Sequence, residues 1–430
     1  MLTLGLSGGL DLLDQDRRYL FPLGSYHDSA AALVDDGRVV AAVEEERLNR
    51  IKHTSKGAIS AIRFCLDRRC AQLRDLDALV IYGDEHLWER TLRGIYVTQV
   101  HAAPVMTPRA LVHQMLVRGL GSDIDDSKLV FVRHHLAHAL STYLQSGFES
   151  SLVLTIDGGG DDLSGSMTDA SDGSMRTLQT FSMVQSLGFF YTSVVAFLGF
   201  GLHEEYKVMG LAPYGNPRKY RSQFQSLYEL HPQGNYVIRW DRFPALTEIG
   251  MPRKKGEPIT EFHQDAAAAL QEALEHIVAH VLTHYRWLTQ HRRLCMAGGV
   301  AHNCSLNGKI LYSGLFDEVF VHPASHDAGC AIGAALYPFT GEPGRSIGAD
   351  AGSAAGNAVS IRSVPNRTAL EHVYWGPDIG TADAIRQELA EWGDVIECES
   401  PDDISARAAR LLADGSVIGW ARGASEFGPR

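Results

Sequence analysis

Paired cysteines are missing from this chain of 430 residues: its six cysteines, at positions 65, 70, 295, 304, 330 and 398, include no CxxC. That excludes a thioredoxin-type redox motif and a zinc ribbon, and a reducing cytoplasm is the expected location. No cationic start leads into an apolar run at Met1, so no secretory leader is expected. Long apolar runs are equally scarce. Ser186–Leu202 is almost uncharged, but it falls short of the roughly 20 residues a bilayer span needs and is closed by His203-Glu204-Glu205, so a buried helix and no membrane association are expected. Positive charge is also in deficit, with 39 Lys+Arg against 51 Asp+Glu and a net charge of −12. Without a basic cluster, a surface of that sign repels phosphate backbones and disfavours a nucleic-acid partner. What remains is 45% apolar and 21% charged, the composition of a globular chain with a sizeable core. Its length calls for two or three domains of roughly 100–200 residues.

The apolar pattern carries an internal echo. Leu2–Leu6 reads as a strand. After the insertion Asp11–Leu23, the loop His27-Asp28-Ser29 leads into AAALVDDGRVVAAVEEER, two apolar runs joined by Asp35-Asp36-Gly37. Asp-Gly supplies the positive φ of a tight hairpin turn. From Ser151 the same grammar returns: LVLTIDGGGDD is a buried strand ending in an aspartate and three glycines, and SGSMTDASDGSMRTLQTF is a hairpin turning at Ser171-Asp172-Gly173. Two related α/β lobes facing each other across a cleft fit this pattern, as do two unrelated β-units in one mixed fold.

Helical spacing marks Ile59–Arg69, Arg109–Gly119, His134–Leu144 and the long Asp265–Leu288. RRLCMAGGVAHNCSLNGKI and DEVFVHPASHDAGCAIGAAL each read as strand, polar loop and helix. Residues 341–366 shift to Gly, Ala and Ser, a linker composition. Beyond it, Ala382–Trp392 and Ile404–Leu412 are amphipathic and SVIGWARG is strand-like. The expected division is a unit over 1–340 with lobes of about 1–150 and 151–340, a linker over 341–366, and the opening of another domain over 367–430.

Several clusters could carry chemistry. His134 and His138 of HHLAHA lie one helical turn apart, the spacing at which two imidazoles reach one metal or pack as an ordinary histidine pair. No Glu makes an HExxH motif. Asp157 and Asp327, each in a loop at a strand end, could complete a set suited to Fe(II), Mn(II) or Zn(II), although turn and cap roles are commoner for such aspartates. Asp157-Gly158-Gly159-Gly160 and Gly298-Gly299-Val300-Ala301-His302-Asn303 follow apolar strands, where backbone amides can approach a phosphate. The charge-dense run Glu44–His53 reads as a solvated helix face, or as one that turns Arg47 or Lys52 into the cleft. Glu205–Gly215, which holds Lys207, reads as a shaped loop.

These segments together resemble the O-carbamoyltransferases of the NodU/CmcH/TobZ type, relatives of the universal tRNA threonylcarbamoyl-transferase proteins. The resemblance rests on YHDSAAALVDDGRVVAAVEEERLNRIKH, HHLAHA, IDGGGD, EYKVMGLAPYG, MAGGVAHNCSLNGKI and HDAGCAIGAAL, in that order from residue 26 to about 336. It implies an α/β fold of duplicated actin-like (ribonuclease H-like) type with two lobes around a cleft, followed by the start of a YrdC-like domain. The implied reaction forms carbamoyl adenylate from carbamoyl phosphate and ATP and passes the carbamoyl group to an alcohol. It places the metal, usually iron, on His134, His138, Asp157 and Asp327. It makes His27 and Lys52 catalytic, with Lys52 near the carbamoyl nucleotide. It gives Asp28, Gly158, Gly159, Lys207, Gly298, Gly299, Asn303 and Arg430 binding roles. The sequence stops at Phe427-Gly428-Pro429-Arg430, where the signature of relatives continues, so most of the YrdC-like domain is expected to be missing and this chain alone is not expected to use carbamoyl phosphate and ATP.

The expected acceptor is a small hydroxylated natural product in antibiotic biosynthesis, such as an ansamycin polyketide. An aminoglycoside, a cephem or a lipo-chitooligosaccharide fits the resemblance too, and a homodimer is left open. The rival readings are a tRNA threonylcarbamoyl transferase, an actin-fold sugar kinase and a non-catalytic nucleotide-binding protein.

Overall fold

The computed structural model describes residues 1–10, 27–98, 106–340, 358–361, 364–365 and 369–429. In chain order the first half contains β1 (Leu2–Ser7), β2 (Ala30–Asp35), β3 (Arg38–Glu44), α1 (Glu45–Asn49), α2 (Ile59–Asp67), β4 (Ala78–Tyr82), α3 (Glu85–Thr98), α4 (Pro108–Leu120), β5 (Leu129–Val132) and α5 (His134–Tyr143). The second begins with β6 (Ser151–Gly160), β7 (Leu163–Ser171), β8 (Ser174–Ser182), α6 (Leu187–Phe197), α7 (Glu205–Leu211), α8 (Arg221–Gln225), β9 (Tyr228–His231) and β10 (Asn235–Ile238). It continues with α9 (Glu261–Thr289), β11 (Arg293–Ala297), α10 (Cys304–Tyr312), β12 (Glu318–Val321) and α11 (Asp327–Leu336), and the chain then adds β13 (Ala358–Ser360), α12 (Ala382–Ala390) and α13 (Ile404–Ala413).

The echo in the sequence is a duplication in space. One sheet runs β3-β2-β1-β4-β5 and the other β12-β11-β6-β7-β8-β13, so β3-β2-β1-β4-β5 in the first half corresponds to β8-β7-β6-β11-β12 in the second. In each, an antiparallel meander of three strands is extended by two parallel ones. This repeated order is the expected actin-like arrangement, and it decides between related lobes and unrelated β-units. Both Asp-Gly turns take the positive φ that the hairpins require, 45° and 82° at Asp36-Gly37 and 53° and 71° at Asp172-Gly173.

The corresponding helices α5 and α11 cross between the sheets. Ala137, Leu140, Ile332 and Ala335 share one core with Val80 and Val132 of the first sheet and Val153 and Cys295 of the second. Small residues permit the crossing: a Cβ on Gly333 would sit 1.8 Å from the Ala137 carbonyl oxygen, and one on Gly5 of β1 would sit 2.0 Å from that of Ala331. Separate cores lie outside, with Leu4, Ile62, Leu79 and Leu116 in the first lobe and Leu154, Phe190, Leu274 and Met296 in the second. No helix among the described residues is long and apolar enough to cross a membrane; α6 packs Phe190, Val194 and Val195 into the second core.

Four expectations change. Glu205–Gly215 is not an irregular loop: α7 runs into a 3₁₀ turn at Ala212–Tyr214, a helix too short and too exposed, with Val208 as its buried residue, to display a period. The run Glu44–His53 is not a plain solvated face, because Glu44 and Glu45 are buried and the Glu45 Oε2 accepts from the Ala61 N–H at 2.8 Å. Ala358–Ser360, inside the expected linker, pairs with β8 as an edge strand. SVIGWARG makes no strand among the described residues; Val417 is fully exposed and a strand needs a partner to persist. Trp375 and Phe427, flanking α12 and α13 in sequence, are buried in the core shared by the two lobes. The insertion Asp11–Leu23 and most of 341–366 lie outside the described residues.

Candidate active site

Helix geometry and strand ends bring the four expected ligands together. His134 and His138 project from the same face of α5, Asp157 ends the buried part of β6, and Asp327 opens α11. One ligand atom from each lies within 4.8 Å of the others. His134 Nε2 is 3.1 Å and His138 Nε2 3.4 Å from Asp157 Oδ2, and the same nitrogens are 3.8 and 3.5 Å from Asp327 Oδ1.

The carboxylate of Asp157 is aimed by both glycine loops. Its Oδ1 accepts from the Gly158 N–H at 2.7 Å and the Gly299 N–H at 3.0 Å, which turns Oδ2 toward the imidazoles. Asp161 fixes the start of α5 by accepting from the His134 N–H at 2.6 Å, and the Tyr82 hydroxyl donates to Asp327 Oδ2 at 3.3 Å.

The chemistry of this cluster fits a cation. Burial alone would raise both carboxyls, yet the two histidines hold Asp157 and Asp327 below the usual carboxylate range. Two ionised carboxylates at such spacing repel by roughly 3 kcal/mol at an effective dielectric of about 20. The buried His138 Nε2 meanwhile makes no aligned hydrogen bond among the described residues. Imidazole and carboxylate together suit a first-row divalent metal, so the residues fit the Fe(II), Mn(II) or Zn(II) anticipated from the sequence. The Cys330 thiol lies within reach of both histidines as a further soft donor.

Beside the cluster, Asp28 joins two imidazoles. Its Oδ2 is 2.7 Å from His27 Nδ1 and its Oδ1 2.7 Å from His53 Nδ1. His203 stacks on the His53 ring at 4.0 Å and meets the His27 ring edge-on at 4.8 Å. Burial pushes the His27 pKa down, but Asp28, Asp327 and Asp157 outweigh it and lift the value to about 9. The influence of both cluster carboxylates on His27 puts the two groups in one cleft.

A carboxylate pair, two metal-type histidines and an aspartate–histidine dyad sharing a cleft are the residues that the HHLAHA, IDGGGD, HDAGCAIGAAL and YHDS segments predicted. The family model "Carbamoyltransferase N-terminus" matches residues 23–336. The chain belongs to the carbamoyltransferase family. It is 47% identical over its whole length to the nodulation protein NolNO of Sinorhizobium fredii, of which it covers 60%. It is 50% identical over 70% of its length to the nodulation protein NolO of Bradyrhizobium diazoefficiens, of which it covers 51%. Among solved structures, component A of the (R)-2-hydroxyglutaryl-CoA dehydratase of Acidaminococcus fermentans aligns over 78% of this chain and 97% of its own, at 14% identity and a TM-score of 0.40.

Not every expected residue of this chain is drawn into the cleft. Lys52 is exposed, while the neighbouring His53, itself partly open to solvent, turns its ring onto Asp28 and anchors its N–H on Glu46 Oε2 at 2.8 Å. Arg47, the other cation considered there, pairs with Glu44 at 3.0 Å and donates to the Gly428 carbonyl at 3.0 Å. Lys207 stands on the exposed side of α7, ion-paired with Glu204. Asn303 is occupied within the fold: its Oδ1 caps α10 by accepting from the Leu306 N–H at 2.9 Å, and its Nδ2 donates to Gln271 at 2.8 Å.

The glycines divide similarly. Gly158 and Gly299 hold Asp157, while Gly298, at φ 95°, donates its N–H to the Ser325 carbonyl at 2.7 Å. Gly159 is packed against Met183, leaving no room for a Cβ. Arg430 lies outside the described residues. Sequence reasoning passed over His53, Tyr82, Asp161, His203, His302, His326 and Cys330. His53, Asp161, His302, His326 and Cys330 lie inside the quoted segments, where membership could have flagged them, whereas Tyr82 and His203 lie in none.

Proposed function

We propose that this carbamoyltransferase moves the carbamoyl group of carbamoyl adenylate to a hydroxyl of a small acceptor, within the cleft that holds His27 and the four-residue cluster. The observation that carries the reading is the convergence of His134, His138, Asp157 and Asp327 beside the Asp28–His27 dyad. A divalent metal held by those four side chains, Fe(II) by the family resemblance, would polarise the carbamoyl carbonyl as a Lewis acid and offset the two carboxylates.

With Asp157 and Asp327 so compensated, Asp28 would be the main carboxylate holding the proton on His27, which would give it up more readily. Donation of Nδ1–H to Asp28 fixes the tautomer and leaves Nε2 as the base for the attacking hydroxyl. The acceptor oxygen bonds to the carbamoyl carbon, the bond from that carbon to the phosphate oxygen breaks, and AMP leaves with the electron pair. Carbamoyl phosphate and ATP would supply the adenylate.

Of the acceptors that the resemblance admits, a lipo-chitooligosaccharide agrees best with relatives named as nodulation proteins, ahead of an ansamycin in antibiotic biosynthesis. The net charge of −12 supports a small molecule over tRNA. The test supplies synthetic carbamoyl adenylate and chitotetraose to the Fe(II)-loaded chain. Release of AMP that depends on the sugar supports the reading, and AMP release indifferent to the acceptor overturns it.

A further inference from the structure

We propose that His302 and His326 form a hydroxyl-binding subsite for the acceptor, which makes that acceptor a polyhydroxylated molecule of the oligosaccharide class. The inference rests on the transfer reading above and deepens it. His302 ends the 3₁₀ turn Gly299–His302 between β11 and α10, and His326 ends the loop between β12 and α11. Their rings face each other with centroids 4.8 Å apart at 55°.

Both present a buried nitrogen that finds no partner among the described residues, Nε2 of His302 and Nδ1 of His326. The other nitrogen of His326 is accounted for, since Nε2 lies 3.3 Å from Glu44 Oε1. Glu44 comes from the first lobe, at the end of β3, and is clamped by Arg47 at 3.0 Å. With Nε2–H donated across the cleft to Glu44, Nδ1 of His326 is left unpartnered among the described residues, an acceptor in the neutral ring and a donor in the protonated one. Orphaned buried nitrogens cost stability when they are left empty, and two that share a cleft wall point to a ligand.

The charges of the cleft select the ligand chemistry. Asp28, Glu44 and Asp157 all act electrostatically on His302, and Asp28, Glu44 and Asp327 on His326. At this point of the cleft such carboxylates favour a neutral hydrogen-bonding group over an anion. An ammonium suits the charge but has no lone pair, so it cannot accept from a nitrogen that carries a proton. A hydroxyl donates and accepts, so it satisfies His326 Nδ1 and either tautomer of His302, and neighbouring hydroxyls on a sugar ring serve both at once.

Calorimetric titration of the full chain with chitotetraose, with AMP and with Mn(II) tests the proposal, using the wild type, His302→Leu and His302→Gln. Glutamine keeps a polar atom near the position of Nε2, and leucine removes it. The expected result is about tenfold weaker chitotetraose binding by His302→Leu, recovery to within about threefold in His302→Gln, and AMP and Mn(II) affinities unchanged within about twofold. Parallel loss is expected for His326→Leu. The proposal is overturned if the wild type does not bind chitotetraose, if His302→Leu binds it as well as the wild type, or if that variant loses AMP and Mn(II) together with the sugar, as a merely structural residue would. Histidine-dependent sugar binding without AMP or Mn(II) binding would keep the subsite and overturn the transfer reading.

Discussion

The two lobes share one strand order and put different chemistry at matching places. β1 ends in Ser7-Gly8-Gly9, while β6 carries Asp157 before Gly158-Gly159-Gly160. In the first lobe only Arg133 separates β5 from α5; in the second, His322–His326 separate β12 from α11. The first lobe thus brings its histidines in on a helix, and the second brings Asp157 on a strand end and Asp327 behind a longer loop. A duplicated backbone supplies equivalent positions at the cleft, and single side chains at strand and helix ends assign each a charge. The crossing of α5 and α11 makes those assignments meet.

The comparison can be broken or sharpened by experiment, beginning with the largest effect. His27→Ala should lower carbamoyl transfer from supplied carbamoyl adenylate by about 10²–10⁴-fold while metal content, read by elemental analysis, stays at the wild-type level. Equal loss of metal would mean that the dyad and the cluster are one unit. Asp157→Ala should weaken metal binding by about 100-fold or more, beyond what outer partners typically contribute. Ser7→Ala, at the matching end of β1, should leave it unchanged in the same titration, and a loss there would erase the distinction between the lobes.

Third, Gly333→Ala should destabilise the protein by about 3 kcal/mol in denaturant unfolding, because the added methyl meets the Ala137 carbonyl at the crossing of α5 and α11. A neutral result would mean that the helices are not in close contact.

The fourth prediction concerns the loop present only in the second lobe. Burial pushes the His322 pKa down to about 4, and its Nδ1 accepts from the Ala324 N–H at 2.9 Å. An unfolded histidine titrates near about 6.5, so on acidification the unfolded chain takes up the proton first. The contribution of His322 is therefore complete above about pH 6.5 and is lost as pH falls toward about 4. Over that window His322→Asn, which retains an acceptor, should flatten the pH dependence of unfolding by up to about 1.4 kcal/mol per pH unit. An unchanged slope would place the neutral histidine elsewhere. Last, Gly308→Ala on α10, where a Cβ meets nothing within 4 Å, should raise stability by about 0.5–1 kcal/mol.

Much of this was legible in the residues. The Asp-Gly turns, the alternation of apolar strands with helical runs, and the one-turn spacing of His134 and His138 are local properties, and local sterics and periodicity decide them. The halves could be seen to rhyme because each strand–hairpin unit obeys the same local rules. Motif order marked Asp157 and Asp327 as candidates although 170 positions separate them. Where the signal was short, the reading failed: α7 is too brief to show a period, and a strand-like composition at SVIGWARG cannot supply a partner strand.

By itself, then, the sequence determined most of the elements, a repeated local pattern and the residue types available for chemistry, since these depend on backbone preferences and spacing within one segment. Tertiary structure alone decided which of them face the cleft. It turned the His53 ring onto Asp28 and left Lys52 exposed, committed Asn303 to Gln271 and the α10 cap, and stood His302 against His326. Those outcomes depend on which groups compete for the same buried hydrogen bonds, and the competitors come from segments far apart in the chain.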